Sequence, residues 1–261
     1  MFGVVDQIQA WLPFTLLVFA RLSALLMSMP IFGYATIAPH LRIVIAVALT
    51  FVIAPIVGAD FHTEYTSMMV LAADIMREIL IGLIIGFGAR LTFEAFVIAG
   101  SFVSFQMGMS IMNVIDPNSD ANLPVISNFW LLVMIAFFLV TNSHYFLIEV
   151  LFYNFKAIPL NTAVISPAAG QQIVYGGSMI YDLAVKFAAP MMVLMLMVDV
   201  AIAFASRVMP QLNIFFISLP LKIGLGIFML LISLRIFQSI FGYVYDNFEN
   251  FVLDLMTGLK G

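Results

Sequence analysis

Eight charged side chains, Arg21, Asp74, Arg77, Glu78, Arg90, Glu94, Asp199 and Arg235, lie within or beside apolar runs of a 261-residue chain. Carboxylates and guanidiniums in such surroundings can pair with each other, pair with partner subunits, or carry protons, as Glu78 or Asp199 could. A charge at the bilayer centre costs about 2.5–3.5 kcal/mol even on the lenient insertion scale, so eight unpaired charges would strain a bundle embedded in lipid. Pairing within the chain, pairing with partners, or a position largely outside lipid relieves that strain. Asp74 and Arg77 stand at i, i+3, and Arg90 and Glu94 at i, i+4, spacings that bring side chains together on a helix. Glu78, Gly82, Gly86, Arg90 and Glu94 are each four apart and form one ridge. Gly82 and Gly86 make a GxxxG notch in it, where another backbone can approach closely. Arg77 flanks the ridge, which reads as a helix-packing or inter-subunit surface with Glu78 and Arg90 facing neighbouring helices.

No catalytic constellation accompanies these charges. The chain holds no HExxH, Walker A or GxSxG pattern, and nothing sets a nucleophile beside a base. It has no cysteine, which removes disulfides, thiolate metal sites and cysteine nucleophiles together. His40, His62 and His144 are far apart with no metal-ligand spacing, so no metal or other cofactor is expected. With ten Lys and Arg and a net charge of −4, no basic patch suits nucleic acid.

The elements that must position the charges are membrane-grade. Hydrophobic residues make up 64% of the chain and charged residues 9%, against about 25% charged in soluble domains. Such a chain is an integral membrane protein built from helices. Apolar segments run over Leu12–Met29, Ile43–Val57, Val125–Val140 with Tyr145–Phe155, Met179–Phe204 and Asn213–Phe241. Links are expected at Pro30–Arg42, Gly58–Ser67 and Lys156–Gly177, and a turn at Pro210-Gln211. The N-terminus lacks a basic n-region and a small-residue cleavage site, so the first segment reads as a retained helix. No proline occurs over Met68–Met112, which would span about 67 Å as one helix. Either the chain folds back near Arg90–Glu94 or a long or bent helix reaches beyond the membrane. After Phe241, apolar residues recur at i, i+3 or i+4 with Asp246, Glu249, Asn250 and Asp254 between them. That tail is an amphipathic acidic helix, either an interfacial helix end or a partner-docking helix.

One stretch departs from this apolar character. Gly100–Pro124 turns rich in Gly, Ser and Asn, passes through Met107, Met109 and Met112, and ends in the turn cluster Asp116-Pro117-Asn118-Ser119-Asp120. A flexible polar strip between membrane-grade segments is a surface loop or lines something wet, and the second reading makes it a plug or gate in a conduit.

The run Arg77–Pro117, with Glu78, Gly82, Gly86, Phe87, Ala99, Gly100, Gln106, Gly108, Asp116 and Pro117, resembles the signature region of the FliR family of flagellar export proteins. Val208–Gly226, with Pro210, Asn213, Pro220, Lys222 and Gly226, resembles that family's second signature, and Arg21 with the Pro30–Pro39 link fits its N-terminus. The injectisome SctT family shares the plan, but the match looks closer to the flagellar branch. The resemblance implies an all-α fold of long, bent, membrane-type helical hairpins stacked in a hetero-oligomeric assembly, raised in part toward the periplasmic side. It implies a core subunit of the type III export gate at the flagellar basal body in the bacterial inner membrane. The implied partners are FliP and FliQ, with FlhB beside them, exported unfolded proteins and membrane lipid. It also implies a FliP-like part over residues 1–170, a FliQ-like hairpin over 171–241 about Pro210, Gln211, Asn213, Pro220 and Lys222, and the tail over 242–261. The plug falls by position on residues 107–122, with Gln106, Met107, Gly108, Met109, Ser110, Ile111, Met112, Asn113, Asp116 and Pro117 as its gate residues. A small-solute permease is the competing class. It would use the interrupted stretch as a broken helix and would carry inverted repeats, of which the chain has no convincing example.

Overall fold

Apolar segments with few breakers satisfy their own backbone groups as helices, the only open-chain solution in hydrocarbon. The computed structural model describes residues 2–34, 37–57, 65, 67–109, 124–162, 167–211 and 213–260. Among them are seven helices and no strand: α1 (Phe2–Ser28), α2 (Pro39–Val57), α3 (Met68–Gln106), α4 (Val125–Val140), α5 (His144–Ala157), α6 (Pro167–Val208) and α7 (Ile214–Gly258). Four are long and apolar enough to cross a membrane, over Trp11–Ser28, Pro39–Val57, Ala169–Val208 and Phe216–Gly258. The chain is an all-α membrane protein.

Most of the proline-free stretch, Met68–Gln106, is one helix. α3 has 39 residues and continues unbroken through Arg90–Glu94, about 58 Å at ~1.5 Å per residue. The expected Lys156–Gly177 link is shorter than its Pro and Gly content suggests, because α6 already begins at Pro167. Proline is favourable in the first helical turn, where its missing N–H has no intrahelical partner to lose. Asn142, with φ 60°, separates α4 from α5, and Asn161, with φ 63°, turns the chain after α5.

Two compact units divide the chain. The first comprises Met1–Leu91, Asn142–Gly176 and Asn247–Gly261, and the second Thr92–Thr141 and Gly177–Asp246. The divisions at residues 170 and 241 implied by the resemblance fall within α6 and α7. In the first unit α2 packs on α1 and α5. The notch of α3 is filled from within the chain. A Cβ on Gly82 would meet the Arg21 carbonyl and lie 3.0 Å from Ala24 Cβ, and one on Gly86 would lie 2.7 Å from the Leu25 carbonyl oxygen. The end of α7 packs here too, with Phe251 against Gly176 and Leu255 against Gly88, and the rings of Phe146 and Phe248 5.5 Å apart. Phe248, Phe251, Val252, Leu255, Met256 and Leu259 are all buried, so the apolar side of the amphipathic tail is covered by its own chain.

The core of the second unit is aromatic. Trp130 meets Phe187 edge to face at 4.5 Å, and Phe237 lies 5.2 Å from Phe96 and 4.9 Å from Phe137. Such pairs contribute about 0.5–1.5 kcal/mol each beyond area burial. They tie α3, α4, α6 and α7 together.

Candidate functional site

Arg21 and Glu78 are 57 residues apart in sequence and meet with no solvent exposure on either side chain. Arg21 Nε donates to Glu78 Oε2 at 2.5 Å, and its Nη1 donates to the Ile158 carbonyl at 2.6 Å. Its guanidinium carbon also lies 4.8 Å from the centre of the Phe155 ring. Glu78 Oε1 accepts the backbone N–H of Asn161 at 3.1 Å. Both carboxylate oxygens thus have donors, which fixes the Glu78 side chain in place. The left-handed turn at Asn161 aims that N–H inward, and its side-chain amide donates to the Tyr65 hydroxyl at 2.7 Å. Tyr65 in turn donates to Asp74 Oδ2 at 3.1 Å, and Arg77 donates to Asp74 Oδ1 at 3.4 Å. This chain of contacts clamps α1, the start of α3 and the turn after α5. What the geometry shows is a buried ion pair whose carboxylate is held by a guanidinium and a backbone N–H.

Burial pushes the Tyr65 phenol above its ordinary value of 10.0, and the neighbouring Asp74 and Glu78 carboxylates add to that shift while the Asn161 amide opposes it. A raised phenol binds its proton longer in the folded chain than in the unfolded one. Stability from this group is therefore complete below pH 10 and falls as pH rises through the folded value. The Tyr65→Phe difference in the ultraviolet tyrosinate titration should place this phenol above its ordinary value. Ionisation at or below the ordinary value would contradict the placement beside Asp74.

The other charges of the ridge lie further along α3. Arg90 lies over the Tyr34 ring at 4.9 Å, within cation–π reach. Glu94 is half-buried in the second unit. Asp199 on α6 pairs with Lys222 on α7, with side chains 44% and 19% exposed. Pro210 and Gln211 form the exposed turn between those helices, Asn213 precedes α7, and Pro220 lies inside it. Arg235 is exposed, without an ion-pair partner among the described residues. His40 is exposed at the start of α2 and His144 half-buried at the start of α5, while His62 lies outside the described residues.

The end of α3 is packed in the second unit. A Cβ on Gly100 would lie 2.5 Å from Ser127 Cα, so α3 touches the first turn of α4 backbone to backbone. The Ser101 and Ser127 hydroxyls bond at 2.9 Å beside that contact. Gln106 closes the helix, and Met107 is buried with its sulfur and methyl seated on Gly226 of α7. Gly108 follows with φ +76°, a left-handed conformation that favours glycine, and its Cα faces Leu219. Met109 is half-buried. Of the other expected gate residues, Ser110, Ile111, Met112, Asn113, Asp116 and Pro117 lie outside the described residues.

Residues 12–248 match the family described as "Bacterial export proteins, family 1". The chain belongs to this family. Among curated relatives of this bacterial export protein is the flagellar biosynthetic protein FliR of Bacillus subtilis (strain 168), 32% identical over 247 residues, 91% of this chain and 94% of the relative. The FliR protein of Escherichia coli (strain K12) is 27% identical over 254 residues, 97% of each chain. That of Caulobacter vibrioides is 28% identical over 241 residues, 92% of this chain and 94% of the relative. All three relatives are named as biosynthetic proteins and not as enzymes.

Within this export protein, the structure adds residues that the sequence did not single out. Asn154, Ile158, Asn161 and Tyr65 complete the buried junction. Asn154 carried a signal, since it falls on the same helical face as Leu147, Val150 and Leu151, all buried. Gly226 was already named by the second signature, and the structure adds that it seats Met107.

Proposed function

We propose that this bacterial export protein is a FliR-type core subunit of the flagellar type III export gate in the inner membrane, at the flagellar basal body. It forms part of a channel wall for unfolded flagellar proteins, assembles with FliP and FliQ beside FlhB, and works mechanically, without catalysis. Residues 1–170 serve as the FliP-like part and 171–241 as the FliQ-like hairpin. The observation that carries this reading is the family match over residues 12–248, with curated FliR relatives covered almost from end to end. The buried junction suits a mechanical part, since it fixes helices against one another. Residues 107–122 act as the plug, with Met side chains suited to adapt to irregular surfaces.

The test is an in-frame deletion of Gly108–Asn122. Cells carrying it should leak small ions and solutes while the gate complex still assembles. Unchanged permeability with intact assembly would remove the plug role. Normal export of flagellar protein from cells lacking the whole chain would remove the gate reading itself.

A further inference from the structure

On the outward side of α7, Ile217, Leu221, Gly224, Phe228, Leu231 and Arg235 recur at alternating steps of four and three, and all are exposed. At 3.6 residues per turn this row lies opposite the helix's own inward row of Gly226, Leu230, Ser233, Phe237, Phe241 and Val244. Alternation of three and four is the period of a helix–helix seam, in which side chains of one helix enter holes of another at a shallow crossing angle. Two glycines sharpen the point. A Cβ on Gly224 or Gly242 would meet nothing within 4 Å, so both leave shallow pits on the outside of the helix. Lipid tails gain little from such pits, whereas a second backbone can settle into them.

Arg235 determines what settles there. It is a permanent cation in an apolar row, with no ion-pair partner among the described residues. Facing lipid it would be costly, and facing a second copy of the same row in register it would meet its own kind. A single charged residue in a heptad seam typically fixes register and partner. We infer that the outward row of α7 is the docking seam for an apolar helix of a different protein, which presents an Asp or Glu carboxylate to Arg235. This inference rests on the reading of the chain as a gate subunit and names the chemistry of one partner face.

The test uses the full-length chain in its native membrane, with a photo-crosslinking amino acid at Leu231, or at the inward Phe237 as a control. Phe237 contacts Phe96, Trp130 and Phe187, so its crosslinks stay within the chain. The Leu231 probe should capture an apolar helix of another protein whose crosslinked peptide carries a carboxylate within about one turn. Arg235→Glu should lower that yield about tenfold or more while the Phe237 crosslink persists, and Arg235→Lys should retain most of it. Changing the partner's carboxylate to Lys should restore capture by the Arg235→Glu chain. Crosslinks from Leu231 to lipid alone, or to a second copy alone, would overturn the seam, as would an unchanged yield in Arg235→Glu. If cells still export flagellar protein while Leu231 meets only lipid, the seam fails and the gate reading stands.

Discussion

Glu78→Ala should destabilise the folded chain by about 3–5 kcal/mol, the range for removing one partner of a buried ion pair. Arg21 would keep its charge with no solvent access and lose the acceptor of its Nε–H. Asn161 would lose the acceptor of its inward N–H, so the turn after α5 would loosen as well. Glu78→Gln should cost less, because an amide oxygen still accepts one of the two donors, but the guanidinium remains uncompensated. The variant Arg21→Leu/Glu78→Leu should recover much of the loss, since replacing both members of a buried pair by apolar groups is often near neutral. Arg77→Ala provides the contrast: its pair with Asp74 is 44% and 14% exposed and 3.4 Å long, so the change should stay within about 0.5 kcal/mol. Unfolding midpoints in detergent and the steady-state amount in the membrane measure all four. A Glu78→Ala chain as stable as Arg77→Ala would show that the junction contributes nothing.

Gly100→Ala should also weaken the fold strongly, by about 1–3 kcal/mol, as overpacking does. The added Cβ would lie 2.5 Å from Ser127 Cα, 2.7 Å from its nitrogen and 2.9 Å from the Ile126 carbonyl carbon. These are backbone atoms, and no rotamer change removes them. α3 and α4 must separate, and the Ser101–Ser127 hydroxyl bond at 2.9 Å should go with the contact. Gly226→Ala meets a different neighbour. Its Cβ would strike Met107 side-chain atoms, with the sulfur at 2.5 Å and Cγ at 2.8 Å, and a flexible thioether can move aside. Its stability loss should be smaller than that of Gly100→Ala, and smaller still when measured relative to a Met107→Ala chain, where no thioether stands in the way. Equal losses for the two glycine variants, measured by thermal unfolding, would mean that Met107 is held as rigidly as backbone.

Much of the architecture was legible. With 64% hydrophobic residues and 9% charge, the helical membrane class follows from the need to satisfy every backbone group away from water. The turn at Pro210-Gln211 followed from where proline stands, whereas the lack of proline after Met68 left a fold-back and one long helix both open, and the structure selects the long helix. The local pair Asp74–Arg77 was readable because helical spacing alone brings those side chains together. The family was readable from spaced glycines, prolines and charges.

Tertiary structure decided the rest. Helical periodicity shows that a residue faces a neighbour but not which neighbour, so the GxxxG notch of α3 suited a partner subunit as well as α1, which fills it. The same limit hid the partner of Arg21. Any of several carboxylates could have neutralised it, and only packing of α1 on α3 selects Glu78, 57 residues away. Long-range pairing depends on which helix faces are desolvated together. A linear chain carries the period of each face but not the identity of the face it meets.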